Sequence, residues 1–208
     1  MKYNRPLELV YKYTRYALIG AVIFLCAFGV LPKRTVTHLA AGVGKADVKV
    51  LGTSNLHDWS MEDKDVACSV QFTYTAGKTL PASLVAFTFA LPVHSLKSGK
   101  SGMDSKAYDA MKAKDQSNIA FVASTSRIIP GANDQFTVKS NGNLTIAGVT
   151  KTVVLTAACS VKDYGTITCS GKDTLLMSDY QIKPPTYMLG TLRTGNKLTI
   201  DFTMIVQK

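Results

Sequence analysis

The residues best suited to chemistry are few and thinly spread. His57 and Asp58 stand side by side, just ahead of Trp59, the single tryptophan. Neighbouring residues of a strand point to opposite faces, so this His–Asp pair cannot relay a proton without a sharp turn. The segment reads instead as a structural corner, with Trp59 capping one end of a core. A nucleophilic hydrolase would need a serine, an oriented base and an oxyanion site, and no G-x-S-x-G elbow occurs. His38 and His94 lack metal-ligand spacing to His57. No catalytic residue and no metal ligand is therefore expected, and the chain is read as a non-enzyme.

Cysteine chemistry is more specific. Cys159 and Cys169 lie symmetrically about Tyr164. If the flanking segments form a hairpin, Cys159 faces Cys169 and Val161 faces Ile167, with all four on one face. A cross-strand disulfide fits a non-hydrogen-bonded pair of this kind. Two buried thiols in a β core are the alternative. Cys68 is left as a buried thiol, and Cys26 belongs to a different part of the chain.

The elements that must carry these residues are strands. Val66, Cys68, Val70, Phe72 and Tyr74 alternate with Ala67, Ser69, Gln71 and Thr73. The same period appears in Val85–Leu91 and Ile119–Ala123. It recurs in Val153–Val161 and Leu198–Val206. Turn chemistry is expected at Ala76-Gly77-Lys78, Pro130-Gly131, Asn141-Gly142-Asn143, Asp163-Tyr164-Gly165 and Thr194-Gly195-Asn196. Antiparallel strands with one apolar face give an all-β sandwich or barrel. One helix interrupts them at Met103–Asp115, with Asp104 as its N-cap and Ala107, Tyr108 and Met111 on its apolar side. The Pro184-Pro185 stretch is expected to be irregular.

Residues 1–41 are set apart by composition. Lys2, Arg5, Lys12 and Arg15 precede an uncharged run, Tyr16–Leu31, which Pro32, Lys33 and Arg34 end. As a helix the run would be about 24 Å long, short of a ~30 Å hydrocarbon core. This is the pattern of an export signal, with an uncleaved N-terminal anchor as the alternative. Residues 42–208 then form one domain, periplasmic or secreted. The whole chain carries a formal charge of +10, but that domain holds 18 basic and 13 acidic residues, a net +5. Such a balance lacks the concentrated basic face of a nucleic-acid binder. Lys97, Lys100, Lys106, Lys112 and Lys114 gather around the helix, where they form a solvated face or touch an anionic membrane surface.

Four stretches together resemble one family. They are Gly52–Met61 (GTSNLHDWSM), Met103–Phe121 with its M-x-x-K-x-Y-x-A-M-K-A helix, Gly142–Lys151 (GNLTIAGVTK) and Met177–Thr186 (MSDYQIKPPT). In this order they are similar to the YceI-like lipid- or polyisoprenoid-binding domain, over about residues 45–208. The resemblance implies an extended antiparallel, lipocalin-like β-barrel of about eight strands with one short helix. It also implies export and an amphiphilic lipid ligand, an isoprenoid or quinone, in a long apolar interior. No other cofactor is expected. Lys97–Lys106 lacks the arginine, histidine and aromatic pair that other branches carry before the helix, so no head-group contact is carried over.

Ligand-wall candidates are the large residues expected to face inward: Val70, Phe72, Phe87, Phe89, Tyr108, Met111, Phe121, Met177, Ile200 and Phe202. Each would serve equally as ordinary core, and a solidly packed, ligand-free interaction module is the competing reading.

Overall fold

The computed structural model describes residues 37–162 and 165–207. The expected leader with Cys26, and the Asp163-Tyr164 part of one expected turn, lie outside the described residues. Nine strands are present: β1 (Thr37–Ser54), β2 (Trp59–Thr75), β3 (Pro81–Pro92), β4 (Asn118–Pro130), β5 (Gln135–Ile146), β6 (Val149–Val161), β7 (Ile167–Leu176), β8 (Thr186–Tyr187) and β9 (Leu192–Gln207). Each pairs antiparallel with its sequence neighbour as far as β7, β7 pairs with β9, and β9 pairs with β1. Eight long strands thus close a barrel, and the two-residue β8 only hangs on β9. The structure resolves sandwich against barrel in favour of the barrel. Every long strand has a partner on both sides, though β6 and β7 pair over only Ala158–Val161 and Ile167–Ser170. β1 opens at Thr37, ahead of the compositional boundary at residue 42, and its Ala40–Gly42 stretch pairs with Val70–Phe72.

Alternation predicts most of the inner face. Val66, Cys68, Val70, Phe72 and Tyr74 are all buried. Val85 is the exception. Between β2 and β3 the pairing steps from Gln71↔Ala86 to Phe72↔Leu84, a bulge that turns Val85 out to solvent and gives its inward place to Leu84.

Two expected turns are strand instead. Asn141-Gly142-Asn143 lies inside β5, and the chain reverses at Ala147-Gly148, where both residues have positive φ. Gly142 serves packing: a Cβ there would collide with the Phe121 ring, which lies across the glycine's backbone. Thr194-Gly195-Asn196 lies inside β9, at a slip in its register with β1 between Gly52 and Ser54. Asn196 accepts from the Ser178 amide at 3.0 Å and donates to its hydroxyl at 2.9 Å, so the slip ties two connections together.

The helix, α1, spans Ser101–Ala110, so it begins and ends earlier than expected. Asp104 is not its N-cap. Lys100 holds that position without a side-chain bond, while buried Asp104 accepts from the Ser98 amide (2.8 Å) and hydroxyl (2.6 Å). Lys112 in the left-handed region (φ 56°) closes the helix. Cys159 and Cys169 face each other across β6 and β7 and are joined as a disulfide, with Val161 opposite Ile167.

The two barrel ends differ. At one, short connections join β2 to β3, β4 to β5 and β6 to β7. Tyr74, Phe136, Ile167 and Val206 belong to the buried core cluster there, beside the disulfide. At the other, long connections carry α1 between β3 and β4, and a 3-10 turn (Met177–Tyr180) between β7 and β8.

Candidate functional site

A cavity of about 440 Å³ occupies the second end. Its wall combines strand residues (Val50, Met61, Ile119, Leu198, Ile200) with Met103, Ala107 and Met111 from and beside α1, and with Met177, Tyr180 and Ile182 from the 177–182 segment. The size falls within the range of small-ligand sites. A second cavity of about 170 Å³ continues down the axis between Val66, Phe87, Phe89, Val138, Leu155 and Phe202. Val50, Leu96, Ile119, Ile146 and Ile200 are among the residues that line both, so the two adjoin within the barrel and share part of their wall, a passage in two sections.

The passage is largely apolar because the strands contribute mainly their inward positions, with Ser140 and Asp173 among the polar exceptions in the deeper part. α1 adds its inner side because Ala107 and Met111 sit four residues apart. Tyr108 anchors that placement: its hydroxyl donates to the Leu96 carbonyl (2.7 Å) and accepts from Lys97 Nζ (2.9 Å), and its ring packs edge-on to His94 at 4.5 Å. The bond to Tyr108 raises the Lys97 pKa.

Polar groups cluster at the mouth. Ser54, His57, Lys100, Tyr187 and Thr194 line it, with no carboxylate among the described residues there. Trp59 lies over Gly52, with its indole N–H donating to the Thr53 carbonyl at 3.0 Å, and forms part of the cavity wall. His57 Nδ1 is 2.8 Å from the Asp58 carbonyl, so the two side chains make no dyad. Burial, with Asp179 and Asp173 nearby, pushes the Tyr180 hydroxyl's pKa up; burial and Asp104 do the same at Tyr187. Both remain protonated near neutrality.

Eight of the ten candidate residues line the passage: Met111 and Met177 near the mouth, Ile200 in both cavities, and Val70, Phe72, Phe87, Phe89 and Phe202 deeper. Two do not. Tyr108 fastens the helix as described. Phe121, fully buried, fills the wall against Phe87 (5.6 Å between ring centres), Phe89 (5.8 Å) and Gly142. Sequence reasoning missed Met61, Leu96, Tyr180, Ile182 and Leu198. Leu198 lay in plain view on an alternating strand. Tyr180 and Ile182 sit in a turn and an irregular stretch, where no period points inward.

The family model of the YceI-like domain matches residues 35–206. The chain belongs to the YceI-like family. Solved structures share the YceI-like fold at low identity. BcnA of Burkholderia cenocepacia is 18% identical with a TM-score of 0.59, covering 78% of this chain and 96% of its own. A polyisoprenoid binding domain from Saccharophagus degradans, described as implicated in plant cell wall breakdown, is 9% identical with a TM-score of 0.62, covering 82% and 99%. The Campylobacter jejuni YceI protein is 20% identical with a TM-score of 0.53, covering 70% and 83%. No curated protein matches the sequence.

Proposed function

We propose that this YceI-like protein is an exported carrier that holds one long-chain amphiphile, of isoprenoid or similar type, with its tail in the barrel and its head group at the mouth. The observation that carries the reading is the pair of adjoining, largely apolar cavities, about 440 Å³ beside α1 and about 170 Å³ farther along the barrel. An apolar chain needs only such a dry, shaped space, since burial supplies about 25 cal/mol per Å² of apolar surface. The structural likeness to a polyisoprenoid binding domain supports the ligand class. Membership of a binding-domain family supports a role without catalysis. Export rests on the basic, then apolar, N-terminal 41 residues.

Native mass spectrometry of the purified protein tests this, followed by denaturing release and identification of what leaves. One lipid per chain is the expected result. A clean apo mass that also takes up no added isoprenoid would replace the carrier with the packed interaction module.

A further inference from the structure

The large apolar residues left in water fall into two kinds. Leu39, Val43, Val85, Val122, Ile129, Val154, Leu176 and Ile205 all lie on the long strands, and exposed apolar residues scattered along strands are ordinary. Leu56, Met188 and Leu189 do not. They are among the most exposed, at 71%, 78% and 110%, and all three sit on loops at the mouth of the cavity.

These loops are built to stay together. Asn55 donates from its side chain to the Thr191 carbonyl (2.9 Å) and accepts from the Arg193 amide (2.8 Å), while its own amide donates to the Arg193 carbonyl (3.1 Å). Leu56 is therefore held beside the 188–191 turn. Within that turn Met188, Leu189 and Gly190 are consecutive left-handed residues, with φ of 52°, 56° and 90°. Glycine adopts this freely, but methionine and leucine do so at a conformational cost. In that conformation Met188 and Leu189 are left 78% and 110% exposed. Met188 at the same time lines the cavity, so the apolar tips are continuous with its interior.

The charge beside them has a positive excess, with Lys100, Lys183 and Arg193 against the exposed Asp58 and Asp179. Among the described residues that line the large cavity, Lys100 carries the one fixed charge. Arg193 is fixed by its Nε donating to the Gly190 carbonyl at 3.0 Å, next to Leu189. Lys183 lies on the preceding connection, between the Met177–Tyr180 turn and β8. Of the nearby acids, Asp104 is withdrawn into its bonds with Ser98, while Asp58 and Asp179 are exposed. Apolar tips flanked by cations match a bilayer with anionic head groups, whose surface attracts lysine and arginine while its acyl region accepts leucine and methionine.

We propose that the open end of the barrel docks on an anionic lipid bilayer through Leu56, Met188 and Leu189, with Lys100, Lys183 and Arg193 on the head groups. Docking sets the mouth against the lipid, so a chain passes between bilayer and barrel without crossing water. The transfer role rests on the carrier reading; the docking itself does not.

The test uses the full chain with Cys26→Ser, leaving Cys68 as the remaining free thiol, and that one is buried. An environment-sensitive fluorophore is attached at Leu189→Cys or, at the closed end, at Lys78→Cys; both positions are exposed. Vesicles of phosphatidylcholine, with or without phosphatidylglycerol, carry spin-labelled acyl chains. The expected result is a blue shift and quenching at position 189, at least twofold stronger on the anionic vesicles, with neither at position 78. Leu56→Ser with Met188→Ser should weaken the signal at 189 severalfold. Equal signals at both positions would mean contact through the N-terminal run alone and would overturn the proposal. So would no signal at 189. If lipid is still found in the cavity in that case, the carrier reading stands and the mouth faces a protein acceptor instead.

Discussion

The closed and open ends are made from the same strands, yet one is a solid core and the other a cavity. Their connections account for the difference. At the closed end the connections are short and add no cover, and Tyr74, Phe136, Ile167 and Val206 are buried in one cluster. At the open end α1 and the Met177–Tyr180 turn rest on the barrel rim. They are fixed by polar bonds at their edges, Tyr108 to Leu96 and Asn196 to Ser178, and by the buried Met177, Tyr180 and Ile182, which form one cluster with Phe121, Leu144 and Ile146. The cavity lies between this cluster and α1, bordered by both and filled by neither.

This contrast should show most strongly in truncations. Phe136→Ala at the closed end is expected to cost about 3–5 kcal/mol, because a packed ring leaves a hole that cannot collapse. Met111→Ala, whose side chain already borders empty space, should cost only about 1 kcal/mol. Denaturant unfolding of the two variants gives the difference, and equal losses would break the comparison.

The disulfide comes next. It closes a loop between residues ten apart, within a β6–β7 seam of only four residue pairs. Cys159→Ser with Cys169→Ser should lower stability by ~2–3 kcal/mol, on the chain-entropy estimate for so short a loop. Thermal melts with and without reductant check it: the native chain should shift under reductant and the double variant should not.

The smallest effect expected is on alkaline stability. Burial raises the pKa of Cys68 and Tyr74 toward the closed end, and of Tyr180 and Tyr187 at the open end, from ordinary values of 9.0 for the thiol and 10.0 for the phenols. Each group binds its proton more tightly folded than unfolded. Their contribution is therefore full below about pH 9 and is lost as pH rises through the raised values. Melting temperature against pH should be level near neutrality and decline above that point. Cys68→Ala should remove the earliest part of the decline, and Tyr180→Phe a later part.

The two ends also differ in how legible they were in the sequence. The closed end follows from alternation: Val66 to Tyr74 and Leu198 to Val206 point inward as the period requires, and the symmetry about Tyr164 set the cysteine register. A bulge hid Leu84 behind Val85, because one inserted residue exchanges the faces of a strand. The open end is built from connections, where neither period applies. Asn141-Gly142 imitated a hairpin turn although Gly142 is small for the sake of Phe121. Tyr180, Ile182 and Met188 reach the cavity through backbone conformations that no spacing rule encodes. Phe121 looked like a wall residue, but alternation says only that a side chain points inward, not whether it meets space or another ring.

The most direct test of the central claim is the binding of a fluorescent long-chain fatty acid to the native chain and to Leu198→Trp. Leu198 lines the large cavity and not the deeper one. One probe per chain is predicted for the native protein. The variant should bind at least tenfold more weakly while melting at nearly the same temperature, because the added ring enters space that is already empty. Unchanged binding in a variant that melts normally would contradict the account, since the chain would then lie somewhere other than under α1.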